Sequence, residues 1–180
     1  MRQNWKLVVA TAVLASALGG VAGGVVALSW PDANHAASRG RIVRVGGPEN
    51  LPGIENAPWC DDFDHFCIVE PQPGKFVALY AYETNEFFRQ QACAVHWDAS
   101  FAREDPATQQ MKTGWFMANC TGSTFDMSGR RVFGPAPRDL DQFPLTQSDG
   151  LFLVDTRTLI CATPTSTALQ WTCDRAPLPQ

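Results

Sequence analysis

Beyond Asp32, few stretches of the chain repeat apolar residues at helical spacing; short runs of β-branched, aromatic and aliphatic residues alternate instead with clusters of Gly, Pro, Asp and Asn. Nine runs read as strands: Ile42 to Val45, Phe66 to Val69, Phe76 to Tyr82, Ala94 to Trp97, Trp115 to Ala118, Val132 to Phe133, Leu151 to Val154, Thr158 to Ala162 and Leu169 to Thr172. One short helix is predicted near Thr84 to Gln91. The expected fold is all-β, built from antiparallel sheets, without internal repeats or low-complexity tracts.

The amino-terminal part has a different pattern. Arg2 and Lys6 precede an uncharged run from Leu7 to Leu28, which as a helix at about 1.5 Å per residue spans roughly 33 Å, enough to cross a bilayer. Trp5 and Trp30 flank it, where indoles favour the membrane interface. Ala15-Ser16-Ala17 offers a small-residue cleavage site, but the apolar run continues well beyond it, so the expectation is a retained anchor. Gly19 with Gly23, and Gly20 with Gly24, form two small-xxx-small pairs on that helix, suited to close approach of a partner helix. The cationic end is expected in the cytoplasm of a bacterial-type inner membrane, with the rest of the chain periplasmic or otherwise extracytoplasmic. The predicted organisation is therefore a tail and anchor over 1–29, a small polar linker over 30–40 and a β domain over 41–180.

Composition narrows the function classes. The 180 residues carry a formal net charge of -4, with 45% hydrophobic and 18% charged residues. A chain this apolar is not an acidic disordered one, and its acidic balance argues against nucleic acid as a partner. Six cysteines fit either an exported, disulfide-stapled domain or a metal site, and the anchor favours export. No Gly-x-Ser-x-Gly, phosphate-binding glycine loop or His-Glu-x-x-His is present, and no pair of acids stands out as a general acid and base. No catalytic set is expected.

One segment carries a specific pattern: Asn119-Cys120-Thr121-Gly122-Ser123-Thr124-Phe125-Asp126, then Ser128-Gly129-Arg130, Gly134-Pro135-Ala136-Pro137-Arg138, Leu140-Asp141 and Phe143-Pro144-Leu145. It resembles the second half of a Rieske iron-sulfur protein of the cytochrome bc type. In that family a Cys-Pro-Cys-His-Gly-Ser-x-Phe-Asp box leads through a Ser-Gly turn to a Gly-Pro-Ala-Pro loop covering the cluster. Upstream, Lys75 to Ala81 resembles the strand feeding the first cluster loop, and Ala92-Cys93-Ala94-Val95-His96-Trp97 resembles the end of that loop. The anchor, linker and β head also match, so the expected fold is a Rieske-like antiparallel domain preceded by one transmembrane helix.

The chain departs from the family at the cluster ligands. A Rieske centre takes two thiolates and two imidazoles, from Cys-x-His in the first loop and Cys-x-Cys-His in the second. Aligned on Gly122-Ser123, the second-loop ligand positions fall on Ala118 and Thr121. The first-loop positions fall on Phe88 and Gln90 counting back from Cys93, or on Glu83 and Asn85 counting on from the Ala78-Leu79 strand. No register supplies the ligands, so the expectation is no cofactor, no metal and no electron transfer. The amino terminus, Met1-Arg2-Gln3-Asn4-Trp5-Lys6, also lacks the arginine pair of a signal that exports folded, cluster-loaded proteins.

The resemblance further implies a disulfide between Cys93 and Cys120, one cysteine from each loop. By loop-closure entropy such a bridge is worth on the order of 3 to 4 kcal/mol. The other four cysteines allow three pairings, of which local pairing is the economical one: Cys60 with Cys67 and Cys161 with Cys173. The 60–67 segment, with three aspartates and His65, reads as an acidic solvated loop; the sharper alternative is a small metal site, although Cys-x6-Cys is no common zinc spacing. His96 reads as a surface or packing residue, and His35 falls in the linker.

The implied function is a non-catalytic, membrane-anchored subunit that supports or assembles an energy-converting complex of the cytochrome bc or photosynthetic reaction-centre type. Its partners are the integral membrane subunits of that respiratory or photosynthetic complex. The alternative is a disulfide-based redox or ligand-binding module that uses the vacated cluster pocket.

Overall fold

Phe66-Cys67-Ile68-Val69 and Val77-Ala78-Leu79-Tyr80 form two apolar runs in which only the tyrosine carries a hydroxyl, a pattern that requires cover on both faces of a strand pair. The computed structural model describes residues 40–51, 53–54 and 56–164, and there the two runs form the centre of the molecule. Strands β3 (Phe66–Gln72) and β4 (Lys75–Tyr80) pair antiparallel, with Ile68 opposite Ala78 and Cys67 opposite Leu79. Successive side chains alternate between faces. Phe66, Ile68, Ala78 and Tyr80 enter one core with Val45, Phe143, Phe152 and Val154. Cys67, Val69 and Leu79 enter a second with Val95, Phe116, Phe125 and Leu140.

Three antiparallel sheets supply these layers. The first takes β1 (Ile42–Gly46), β11 (Leu151–Asp155) and β10 (Leu145–Ser148), in that spatial order. The second runs β2 (Trp59–Asp61), β3, β4 and β9 (Gln142–Phe143). In the third, β5 (Val95–Asp105) pairs with β6 (Gln110–Ala118), then β7 (Thr124–Phe125) and β8 (Arg131–Phe133). The all-β expectation is met. Among the described residues a single α-helix, α1 (Glu86–Gln90), lies inside the predicted 84–91 window. It starts where the Asn85 side chain accepts the N–H of Phe87 at 3.1 Å, an N-cap that satisfies one of the otherwise unpaired first-turn donors.

Several boundaries differ from the sequence expectation for identifiable reasons. β5 and β6 extend far past their apolar ends at Trp97 and Trp115, because a hairpin propagates by backbone pairing across the polar residues from Ala102 to Thr113. The run from Thr158 to Ala162 forms no strand; only Ile160 pairs, through two backbone bonds to Gln142. β2, β7 and β9 are two or three residues long, below what alternation can signal. The anchor with Gly19, Gly20, Gly23 and Gly24, residues 30–39 of the linker, the run from Leu169 to Thr172, and Cys173 lie outside the described residues. Among the described residues, no helix is long and apolar enough to cross a membrane.

The far end of the β5–β6 hairpin is held by charge. Asp105, buried at the end of β5, accepts Lys112 Nζ at 2.5 Å and the N–H of Ala107 at 2.9 Å. The hydrogen bond from Lys112, followed by that from Ala107, holds its carboxyl below the usual carboxylate range. A depressed native pKa contributes stability that is present above the unfolded value of about 3.9 and is lost as pH falls through the native value. Asp105→Asn is therefore expected to lower the thermal midpoint at about pH 7 and to have a vanishing effect near about pH 2. Melting curves of both proteins across that range check it; a deficit independent of pH contradicts it.

Candidate functional site

Three loops converge beyond the ends of β4, β6 and β8. The first runs from Tyr82 through α1 to Ala94. It closes on itself, because Glu83 N–H donates to the carbonyl of Cys93 and Val95 N–H to that of Ala81, both at 2.9 Å. The second, Asn119 to Ser123, is a tight turn between β6 and β7, with Gly122 N–H on the Ala118 carbonyl at 2.9 Å. The third runs from Gly134 to Asp141 and covers the other two. Gly134 has φ 96°, and a Cβ there would sit 2.5 Å from the Cα of Ser123, so the cover approaches this closely only with glycine.

The first two loops are tied covalently. Cys93 and Cys120 form a disulfide with Cα atoms 5.9 Å apart, and Cys120 N–H also points at Cys93 Sγ at 3.2 Å. Beside the bridge, Thr121 Oγ1 lies 2.5 Å from Glu83 Oε2 and 2.8 Å from Ser123 Oγ. A hydroxyl has one proton to give. Thr121 donates its hydrogen bond to Glu83, so the Ser123 hydroxyl donates to Thr121 and in turn accepts Ala136 N–H from the cover loop at 3.0 Å. The result is a directed chain from Ala136 through Ser123 and Thr121 to Glu83, which links all three loops. The other carboxylate oxygen of Glu83 accepts Thr84 N–H at 2.9 Å and Asn85 N–H at 3.4 Å. Glu83 is fully buried and accepts hydrogen bonds on both of its oxygens.

A second polar set ties the cover loop to α1. Asp141, 1% exposed, accepts Arg89 Nη2 at 2.5 Å, Arg138 Nη2 at 2.9 Å and Arg138 Nε at 3.0 Å, together with Ala162 N–H at 2.9 Å. Arg89 and Arg138 are each 1% exposed. Arg89 Nε also reaches the Glu83 carbonyl at 3.1 Å, and Thr84 Oγ1 donates to the Arg138 carbonyl at 3.1 Å. Asp141 pairs with both guanidiniums, and Glu83 joins the same network through its backbone carbonyl and its hydrogen-bonded side-chain oxygens. Buried charge is tolerated only when paired and hydrogen-bonded, as Asp141, Arg89 and Arg138 are here.

Of the residues that the Rieske resemblance leads one to expect at ligand positions, Thr121 and Glu83 meet. Ala118 is buried at the end of β6 in the second core. Asn85 serves as the N-cap of α1, Phe88 packs against the Phe87 ring at 5.1 Å, and exposed Gln90 donates to Glu86 at 2.8 Å. Ser123, Arg89, Arg138 and Asp141 were not legible as site residues. Ser123, Arg138 and Asp141 stand in the 119–145 pattern without a role assigned to them, and Arg89 carries no sequence signal at all.

Elsewhere, Cys60 and Cys67 form a disulfide directly across β2 and β3. Asp61 accepts the N–H groups of Phe63 and Asp64 at 2.9 Å and so shapes the connecting turn, while Asp64 accepts Arg41 Nη2 at 2.8 Å. The bridge borders a cleft of about 310 Å³ shared with Asp61, Asp62, His65, His96 and Trp97. His96 is exposed, and His65 packs edge-on to Tyr82 at 4.9 Å. Among the described residues, no three His, Cys, Asp or Glu side chains converge to hold a metal ion. A second cleft, about 440 Å³, lies between Glu70, Trp97, Gly114 and Met127. Neither of these two clefts is lined by Glu83, Thr121, Cys93 or Cys120. Cys161 is disulfide-bonded, and its expected partner Cys173 lies outside the described residues.

The hydrogen bonds and the disulfide of the three-loop site hold the loops together; Ser123 is fully buried, and among the described residues no imidazole adjoins the hydroxyl chain. No protein-family model matches this chain, and no curated protein matches it either.

Truncating Asp141 to Ala strands two buried guanidiniums and is expected to cost about 3–5 kcal/mol. Thr121→Val leaves one oxygen of Glu83 without its donor, at about 1–3 kcal/mol. Denaturant unfolding of the two variants checks both values and their order; a loss below about 1 kcal/mol for Asp141→Ala contradicts the role given to the ion cluster.

Proposed function

We propose that this protein is a cluster-free, Rieske-like head on a single transmembrane anchor, with its amino terminus cytoplasmic and its β domain extracytoplasmic. It serves as a non-catalytic subunit that supports or assembles an energy-converting membrane complex of the cytochrome bc or photosynthetic reaction-centre type. The observation that carries this reading is the contact between Glu83 and Thr121 beside the Cys93–Cys120 bridge. In the family that the 120–145 segment resembles, two loops meet across an iron-sulfur cluster. Here the corresponding loops meet through a hydroxyl, a carboxylate and a disulfide, under a Gly-Pro-Ala-Pro cover.

The donors present do not fit a Rieske cluster. Ala118 offers a methyl group and Thr121 a hydroxyl already committed to Glu83. Glu83 accepts hydrogen bonds on both oxygens. Cys93 and Cys120 are bonded to each other, which leaves neither as a thiolate ligand. The ion cluster of Arg89, Arg138 and Asp141 supplies internal cross-linking of the kind a metal centre otherwise gives a small domain.

Such a head acts by contact. Phe87, on the first turn of α1, is 65% exposed and stacks edge-on with Phe88. Exposed aromatic rings are favoured at interface centres. The two small-xxx-small pairs of the anchor supply a second contact within the bilayer.

Solubilisation in mild detergent, followed by isolation through a carboxy-terminal tag, tests the proposal. Integral membrane subunits of a respiratory or photosynthetic complex are expected to co-purify in fixed ratio, and Phe87→Asp to reduce their yield without unfolding the head. A protein that runs alone while intact complexes lack it overturns the subunit reading.

A further inference from the structure

The two fully described disulfides hold different positions. Cys93–Cys120 joins loops 27 residues apart in sequence. Cys60–Cys67 closes only seven, and it links residues that the antiparallel ladder already holds opposite each other, with Cα atoms 4.0 Å apart. Trp59 opposite Ile68 and Asp61 opposite Phe66 flank the bridge on the same ladder. The entropy removed from the unfolded chain grows with the loop closed, so this bridge adds the less to folding. The two residues are unequally exposed: Cys60 is exposed on the outermost strand of its sheet, whereas Cys67 is 2% exposed within the second core.

We propose that Cys60–Cys67 is a site of thiol–disulfide exchange, reduced by a protein dithiol of the Cys-x-x-Cys class that docks at the cleft bordered by Asp61, His65, His96 and Trp97. The attacking thiolate forms a bond to Cys60 Sγ while the Cys60–Cys67 bond breaks. Cys67 leaves as a thiolate and takes a proton from solvent in the cleft. The second thiol of the reductant, deprotonated, then attacks the mixed disulfide and expels Cys60 as a thiolate, which is protonated. Two electrons pass to the bridge, the reductant ends as its own disulfide, and Cys60 and Cys67 end as thiols.

Three features fit this chemistry. Attack is directed to Cys60, because only that residue is exposed. The product is tolerated, because a free Cys67 thiol behaves as a small apolar side chain among Val69, Leu79 and Val95. The partner is selected by charge, because Asp61 and Asp62 line the same cleft as Cys60. The same two carboxylates select a reductant whose rim is neutral or basic. The proposal is independent of the subunit reading, since it concerns a different bridge and a transient partner.

The test uses the full-length oxidised protein in detergent micelles and a purified thioredoxin-fold reductant whose second active-site cysteine is serine, so that mixed disulfides accumulate. Peptide mapping is expected to place the adduct on Cys60. With the unmodified reductant, alkylation is expected to find Cys60–Cys67 opened at least about ten-fold faster than Cys93–Cys120, with the near-ultraviolet circular dichroism of the head retained. The variant carrying Cys60→Ser and Cys67→Ser is expected to fold and to trap no reductant. An adduct on another cysteine, no adduct, or loss of tertiary signal on reduction or in the double variant overturns the proposal.

Discussion

The Asp141 carboxylate is the point through which the three-loop end of this domain is held. It lies between two buried guanidiniums, one from the helix in the first loop and one from the cover loop, while its own backbone carbonyl accepts the N–H of Tyr80 at 2.7 Å at the end of β4. A buried carboxylate is unfavourable alone and two buried guanidiniums more so; paired through Asp141 they are mutually required. This constraint fixes where α1 sits, which brings Glu83 to Thr121 and Cys93 to Cys120. The alcohol chain and the disulfide follow from the ion cluster and then reinforce it.

The apolar part of the fold has a similar dependence on one element pair. β3 and β4 give side chains to both cores, so the strands that cover them on either side need only one apolar face each. Accordingly β11 alternates, with Phe152 and Val154 buried and Leu151 exposed. Gly129, at φ 81°, brings the turn after β7 against Leu79, where a Cβ would meet the leucine side chain at 2.7 Å. The layers are thus joined by the β3–β4 pair in the middle and by the ion cluster at one end.

Much of this architecture was legible in the sequence where a run was long and apolar: β1, β3, β4 and β11 lie where the pattern puts them. The local pairing of Cys60 with Cys67 was legible from spacing, and the bridge between Cys93 and Cys120 from the resemblance of the 120–145 segment to Rieske proteins. Charged core residues were not. Arg89 stands in Glu86-Phe87-Phe88-Arg89-Gln90, and nothing local distinguishes it from a solvated helix residue, because its burial is decided by Asp141, 52 positions away. The same holds for Ser123 and Ala136, whose contact depends on the left-handed glycine between β8 and the cover. Alternation reads one strand at a time, whereas these contacts belong to the meeting of three loops.

On the subunit proposal, the hydrogen-bonded Glu83 and Thr121, flanked by the disulfide, take the place of the iron-sulfur cluster that joins the loops in Rieske proteins. Low-temperature electron paramagnetic resonance of the purified, dithionite-reduced protein, combined with iron determination on the same sample, tests this most directly. A folded head with no Rieske-type signal and no stoichiometric iron is the expected result. A Rieske-type signal with two iron atoms per chain would contradict it.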